Sequence, residues 1–200
     1  MENTNRSLQL KLKFLFIPFL LGLFHCSFSQ KLELPVSECS GIMTDGTFTE
    51  KAWTEKSSIQ SFGDSIFIYL INTEDYLYVG TKSNTKYETY TDLYFEFDQG
   101  KTLNLHGSFQ LGERITINVP MTESYPPWQW GNNKHWIANR VTQDPAKKEL
   151  GFPENIYPFE GQEFQIHKSK IESEFKLRID IQDFLGERSP LVYNFELSLE

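Results

Sequence analysis

The feature that most limits what this chain can become is alternation. In DLYFEFD (92–98), Leu93, Phe95 and Phe97 point one way while Tyr94, Glu96 and Asp98 point the other. A period of two buries one face of a strand and cannot produce a continuous apolar stripe on a helix. The rule returns in LNLHGSFQL (103–111), with Leu103, Leu105 and Phe109 opposed to Asn104, His106, Ser108 and Gln110. It returns again in ERITINV (113–119), where Ile115, Ile117 and Val119 oppose Arg114, Thr116 and Asn118, and in FKLRIDI (175–181) and LVYNFELSL (191–199). SIFIYLIN (65–72) is nearly continuous apolar, as a strand covered on both faces would be, and YLYVGTK (76–82) follows it after a polar turn. Gly100, Gly112 and Gly186 fall between segments, where tight turns need positive φ.

These segments predict an all-β fold of eight or more strands in an antiparallel sandwich or jelly roll. Short helices are expected only at EKAW (50–53), at 143–150 and at IQDFLG (181–186). The region 121–162 lacks alternation and holds five of the nine prolines, Pro126, Pro127, Pro145, Pro153 and Pro158, so it reads as a long loop. Inside it, SYPPWQWGNNKHWI (124–137) places three of the four tryptophans among turn-forming residues.

The first residues read as a leader. Arg6, Lys11 and Lys13 precede an apolar run of eleven, FLFIPFLLGLF, too short for the roughly 20 residues that span a bilayer. Ser27 and Ser29 supply the small-x-small pattern of a cleavage site, which predicts a signal peptide over 1–29 and a single domain over 30–200, secreted or periplasmic. A retained anchor or a lipidated Cys26 are the alternatives. The leader carries three basic residues and one acidic, so 16 basic and 26 acidic residues remain, a net charge of −10. That excess argues against nucleic acid and against an anionic lipid surface as partners. Cys39 is left without a second cysteine, so the domain depends on its core and no thiolate metal site is available. The absence of an N-x-S/T sequon after the leader fits a bacterial source. The sequence does not address oligomeric state.

GIMTDGTFTEKAW (41–53) resembles the opening of family 9 carbohydrate-binding modules, in which an apolar residue and Asp-Gly precede an acidic residue, a small residue and tryptophan. IFIYLINTEDYLYVGTKS (66–83), TDLYFEFD (91–98) and EFKLRIDIQDFLG (174–186) are similar to later strands of that family in the same order. The resemblance implies a β-sandwich that holds sugar between aromatic faces, with amide and charged groups around it and calcium as a possible stabiliser. Asp45, Glu50 and Asp98 are the candidates for calcium. Physically, Asp45-Gly46 makes a turn and a short helical stretch lets Trp53 drop into the core, which makes Trp53 structural.

An indole covers the C–H face of a pyranose, while amide and charged tips bond its hydroxyl rim. Trp128, Trp130 and Trp136, with Tyr125, Asn132, Asn133, Lys134 and His135, are therefore the candidate saccharide-binding residues. At least one tryptophan is expected to be buried and at least one open, with Trp136 paired to one of the others. Asp92, Glu96 and Asp98, and likewise Lys176, Arg178 and Asp180, read as solvated charges, and His106, His135 and His167 as dispersed surface histidines. The primary reading is an exported protein that binds an oligo- or polysaccharide noncovalently. A structural or interaction domain of the envelope, with the tryptophan loop as a packing lid, is the alternative. A glycoside hydrolase is a third reading, and no G-x-S-x-G, H-E-x-x-H or phosphate loop supports it.

Overall fold

A computed structural model describes residues 31–39, 41–62, 66–83, 88–108, 110–118, 126–131, 134–141, 161–183 and 189–200. Within these, β1 (Lys31–Leu34), β5 (Glu88–Glu96), β6 (Lys101–Gly107), β7 (Leu111–Ile117), β8 (Gln129–Trp130), β11 (Glu174–Asp183) and β12 (Leu191–Leu199) form one sheet. Its order is β1-β12-β11-β5-β6-β7-β8, antiparallel apart from β1 against β12. The second sheet is β2 (Ser58–Phe62), β3 (Ile66–Asn72), β4 (Tyr76–Ser83), β10 (Gly161–His167) and β9 (Trp136–Val141), in the order β2-β3-β4-β10-β9. The single α-helix among the described residues, α1 (Lys51–Glu55), precedes β2, and two one-turn 3-10 helices lie at Asp98–Gly100 and Lys168–Lys170.

The inward residues of the alternating strands meet between the sheets. Leu93, Leu105, Leu177 and Ile179 from the seven-stranded sheet pack toward Ile68, Leu77, Val79, Phe164 and Ile166 of the other, all fully buried. Each such side chain contributes about 1.5–3 kcal/mol by leaving water. The doubly apolar pattern of β3 has its cause in a second, smaller cluster. On the outer face of β3 and β4, Ile71 and Tyr78 are covered by Trp53 of α1, with Phe48 and Ile42. Trp53 is 1% exposed and meets Phe48 edge-on at 5.1 Å. Gly80 permits this approach, since a Cβ there would lie 2.7 Å from the Phe48 ring and 3.0 Å from that of Trp53.

Three expectations change. The region 121–162 contains β8 and β9 and the first residues of β10. Its alternation is obscured because Ile137 stands exposed on the outer side of β9, while Arg140 shares the parity of Trp136 and Ala138. IQDFLG begins as strand, because Ile181 and Gln182 continue the pairing of β11 with Thr91 and Tyr90. Positions 184–186 and 143–150 lie outside the described residues. In β7, Ile115 and Ile117 are 48% and 65% exposed, and on the same face Glu113 is buried instead. Glu113 accepts hydrogen bonds from Trp136 Nε1 at 2.9 Å and from Lys170 Nζ at 2.8 Å, which satisfies the buried carboxylate.

Candidate functional site

The outward residues of the seven-stranded sheet are not a layer of separately solvated charges. Strand register sets them in two rows across four or five strands. One runs Asp180, Asp92, His106, Gly112 and Trp130, from β11 through β5, β6 and β7 to β8. The next runs Arg178, Tyr94, Asn104 and Arg114. Asp92, Asn104 and Asp180 are 5%, 2% and 7% exposed, which corrects the reading of this face as freely hydrated.

At the β8 end stand two indoles. Trp128 and Trp130 are two residues apart, so extended backbone turns both to one side. Their ring centroids are 5.7 Å apart with planes tilted by 37°. Gly112 makes room for them: an added Cβ would sit 2.8 Å from Trp130 and 3.2 Å from Trp128. The Arg114 guanidinium lies 4.1 Å over the Trp128 ring, and Trp130 remains 49% exposed. Pro126 and Pro127 lead into the pair, and Gly131, at φ +70°, turns the chain away after it.

The polar groups beside the indoles each carry a partner, as charges this far from water require. His106 Nδ1 is 2.6 Å from Asp92 Oδ1, so His106 is not an isolated surface histidine. Arg178 donates from Nε and Nη2 to the two oxygens of Asp180, both at 3.0 Å, and lies 4.0 Å over the Tyr94 ring. Asn104 donates to Leu93 O at 3.1 Å and accepts from Arg114 Nε at 2.8 Å. The Tyr90 hydroxyl donates to Gln182 Oε1. Burial, reinforced by Asp92 and Asp180, pushes the Tyr94 phenol up to about 12, so it keeps its proton at neutral pH. Burial also raises the Asp180 carboxyl, against the opposing pull of Arg178. The result is an apolar wall of indoles next to fixed donors and acceptors, an arrangement able to hold a ligand with one C–H face and a hydroxyl rim.

The other candidates lie elsewhere. Trp136 corrects the expectation of a third ligand-facing indole: it is 4% exposed, stacks on Phe164 at 13° and gives its N–H to Glu113 rather than pairing with Trp128 or Trp130. Lys134 and His135 are exposed in the turn before β9, with the His135 ring 5.7 Å from that of His167. Tyr125, Asn132 and Asn133 lie outside the described residues. The residues that sequence reasoning missed, Asp92, Tyr94, Asn104, His106, Arg114, Arg178 and Asp180, were visible as the polar half of alternating strands. Only cross-strand register joins them.

The described residues contain no group of three or more carboxylates, histidines or cysteines placed to hold a metal. Asp45 and Glu50 do share a neighbourhood, with Glu163 of β10. Their oxygens mostly take backbone N–H groups: Glu163 Oε2 from Gly46 at 2.9 Å, Asp45 Oδ1 from Thr47 at 2.9 Å and Glu50 Oε1 from Met43 at 3.0 Å. Glu163 Oε1, Glu50 Oε2 and Thr44 Oγ1 are buried without partners. Calcium takes roughly six to eight oxygens, so these three would supply part of a shell whose remainder backbone carbonyls and waters would have to complete. Asp98 sits apart, in the turn between β5 and β6. Burial, aided by Glu50 and Asp45, pushes Glu163 up to about 8.

No family model and no curated protein matches the chain. Among solved structures, a carbohydrate-binding module of family 9 from Caldicellulosiruptor kristjanssonii in complex with cellotriose is similar, at 12% identity and a TM-score of 0.47, covering 86% of this chain and 94% of that one. The module from the same organism in complex with glucose gives 12% identity and a TM-score of 0.46, covering 86% of this chain and 96% of that one. In fold, the chain is similar to carbohydrate-binding modules of family 9.

Proposed function

We propose that this protein binds a saccharide noncovalently on the outer face of its seven-stranded sheet. The observation that carries the reading is the Trp128–Trp130 pair standing over Gly112, at the end of the Asp180–Asp92–His106 and Arg178–Tyr94–Asn104–Arg114 rows. The indoles would take the C–H face of a sugar ring and the polar rows its hydroxyls. The charges on these rows largely cancel, Asp92 and Asp180 against Arg114 and Arg178, which suits a neutral sugar. Trp136 belongs to the packing of the fold and not to this site. Asp92 and Asp180 oppose each other in register, but each is held by a cationic or imidazole partner, which favours binding over glycoside hydrolysis.

The reading extends to the leader: residues 1–29 act as a signal peptide, and the domain works outside the cytoplasm. Calorimetric titration with cellotriose, glucose and a panel of plant and microbial oligosaccharides tests the function. A dissociation constant of about millimolar to micromolar is expected, with Trp130→Ala weakening it about fivefold or more. A panel that yields no heat above dilution would remove the saccharide reading.

A further inference from the structure

We propose that His106, as a neutral imidazole, is a specificity-determining acceptor of this site: its Nε2 accepts a hydrogen bond from one ligand hydroxyl and rejects ligands that cannot donate there. The inference rests on the saccharide reading above and adds to it which hydrogen bond the protein demands.

Asp92 fixes the proton of the His106 ring. Its carboxylate is nearly buried, and an ionised carboxylate can only accept, so the 2.6 Å contact with His106 is made by an N–H on Nδ1. A neutral imidazole has one N–H, and fixing it on Nδ1 leaves Nε2 with a lone pair. The carboxylate thus selects the tautomer in the way an outer partner orients a metal-binding histidine. Nε2 itself has no hydrogen-bond partner among the described residues.

The ring that carries this nitrogen cannot easily turn away. Its centroid lies 5.2 Å from that of Tyr90, 5.3 Å from Trp128 and 5.4 Å from Trp130. It lies opposite Gly112, on the face of β6 away from Leu105 and the core, and 13% of its side chain stays open. A ring packed this closely against two indoles and a tyrosine, and 13% open, makes few bonds with bulk water. A ligand hydroxyl that donates to it gains a bond, and an analogue without that hydrogen leaves the nitrogen unpaired, a large source of discrimination in buried polar sites.

The test uses calorimetric titration of the protein with cellotriose, methyl glucoside and the set of monodeoxy and mono-O-methyl glucosides. Wild type should lose about tenfold or more in affinity when one particular hydroxyl is either removed or methylated. In His106→Asn the side-chain amide still donates to Asp92 but nothing stands at Nε2, and the penalty for that one analogue should vanish while the others remain. Should that variant fail to fold, His106→Gln keeps an acceptor near the Nε2 position, and the penalty should persist in it. The inference is overturned if the penalty survives in His106→Asn, if it is lost in a folded His106→Gln, or if wild type tolerates methylation at every hydroxyl while rejecting deoxygenation, since an oxygen that accepts from His106 survives methylation. Wild type that binds none of these sugars overturns the saccharide reading and this inference with it.

Discussion

Glu163 should make the protein lose stability as pH rises through the neutral range. Its carboxyl lies in β10 with no exposed surface, one oxygen taking the Gly46 N–H and the other unpaired. Burial, with Glu50 and Asp45 nearby, pushes its pKa from 4.5 to about 8. A group raised on folding contributes its full stability below the unfolded value and loses it as pH climbs to the folded value. Each pH unit between these limits removes about 1.4 kcal/mol, roughly 5 kcal/mol across the whole interval. Against a typical total of about 5–15 kcal/mol, that is a large fraction. Glu163→Gln keeps the size of the side chain and an acceptor for Gly46 but cannot ionise. Urea unfolding at pH 5, 7 and 9 should find the variant within about 1 kcal/mol of wild type at pH 5. By pH 9 the variant should be the more stable by several kcal/mol, on the same reasoning. Two parallel stability profiles would refute the argument. So would calcium that raises wild-type stability at pH 9 and leaves the variant unchanged, because the carboxylate would then be ionised against a cation.

Trp53→Ala should cost about 3–5 kcal/mol in thermal or urea unfolding, because the ring fills the space between Phe48, Tyr78 and the Gly80 backbone. Trp53→Phe should cost less, since the Trp53 N–H has no partner to lose. Trp136→Phe should lower stability by about 1–3 kcal/mol by leaving a Glu113 oxygen short of a donor, with sugar affinity unchanged in calorimetry. Intact mass of protein taken from its native compartment should correspond to a chain starting near Gln30, and an uncut or diacylated chain would contradict the export reading.

How far the sequence led can be argued from particular residues. Leu93 and Phe95, Leu103 and Leu105, and Leu177 and Ile179 announce their buried side by alternation alone, because a strand has only two faces and these choose one. The continuous apolar run of β3 likewise points to covering on both sides, and Trp53 with Phe48 provides the outer cover. What alternation cannot convey is which strands are neighbours. Asp92 and His106 lie on consecutive strands and Asp180 far along the chain, and all three look like ordinary outward residues until register sets them side by side. Proximity in sequence groups Trp136 with Trp128 and Trp130, but Gly131 has positive φ and β9, which begins at Trp136, belongs to the other sheet. Ile115 and Glu113 exchange their usual places because a tryptophan N–H and a lysine reach the carboxylate, a long-range event with no local signature.

The central claim is positional: a sugar lies over Trp128 and Trp130, against the Asp92–His106 and Tyr94–Arg178 rows. A crystal structure of the protein grown with cellotriose measures this directly. The account predicts a pyranose ring stacked within about 4–5 Å of an indole face of Trp128 or Trp130, with its hydroxyls bonded to side chains of β5, β6, β7 or β11. Sugar density seated instead on Lys134 and His135, or on the exposed isoleucines of β7, would contradict it.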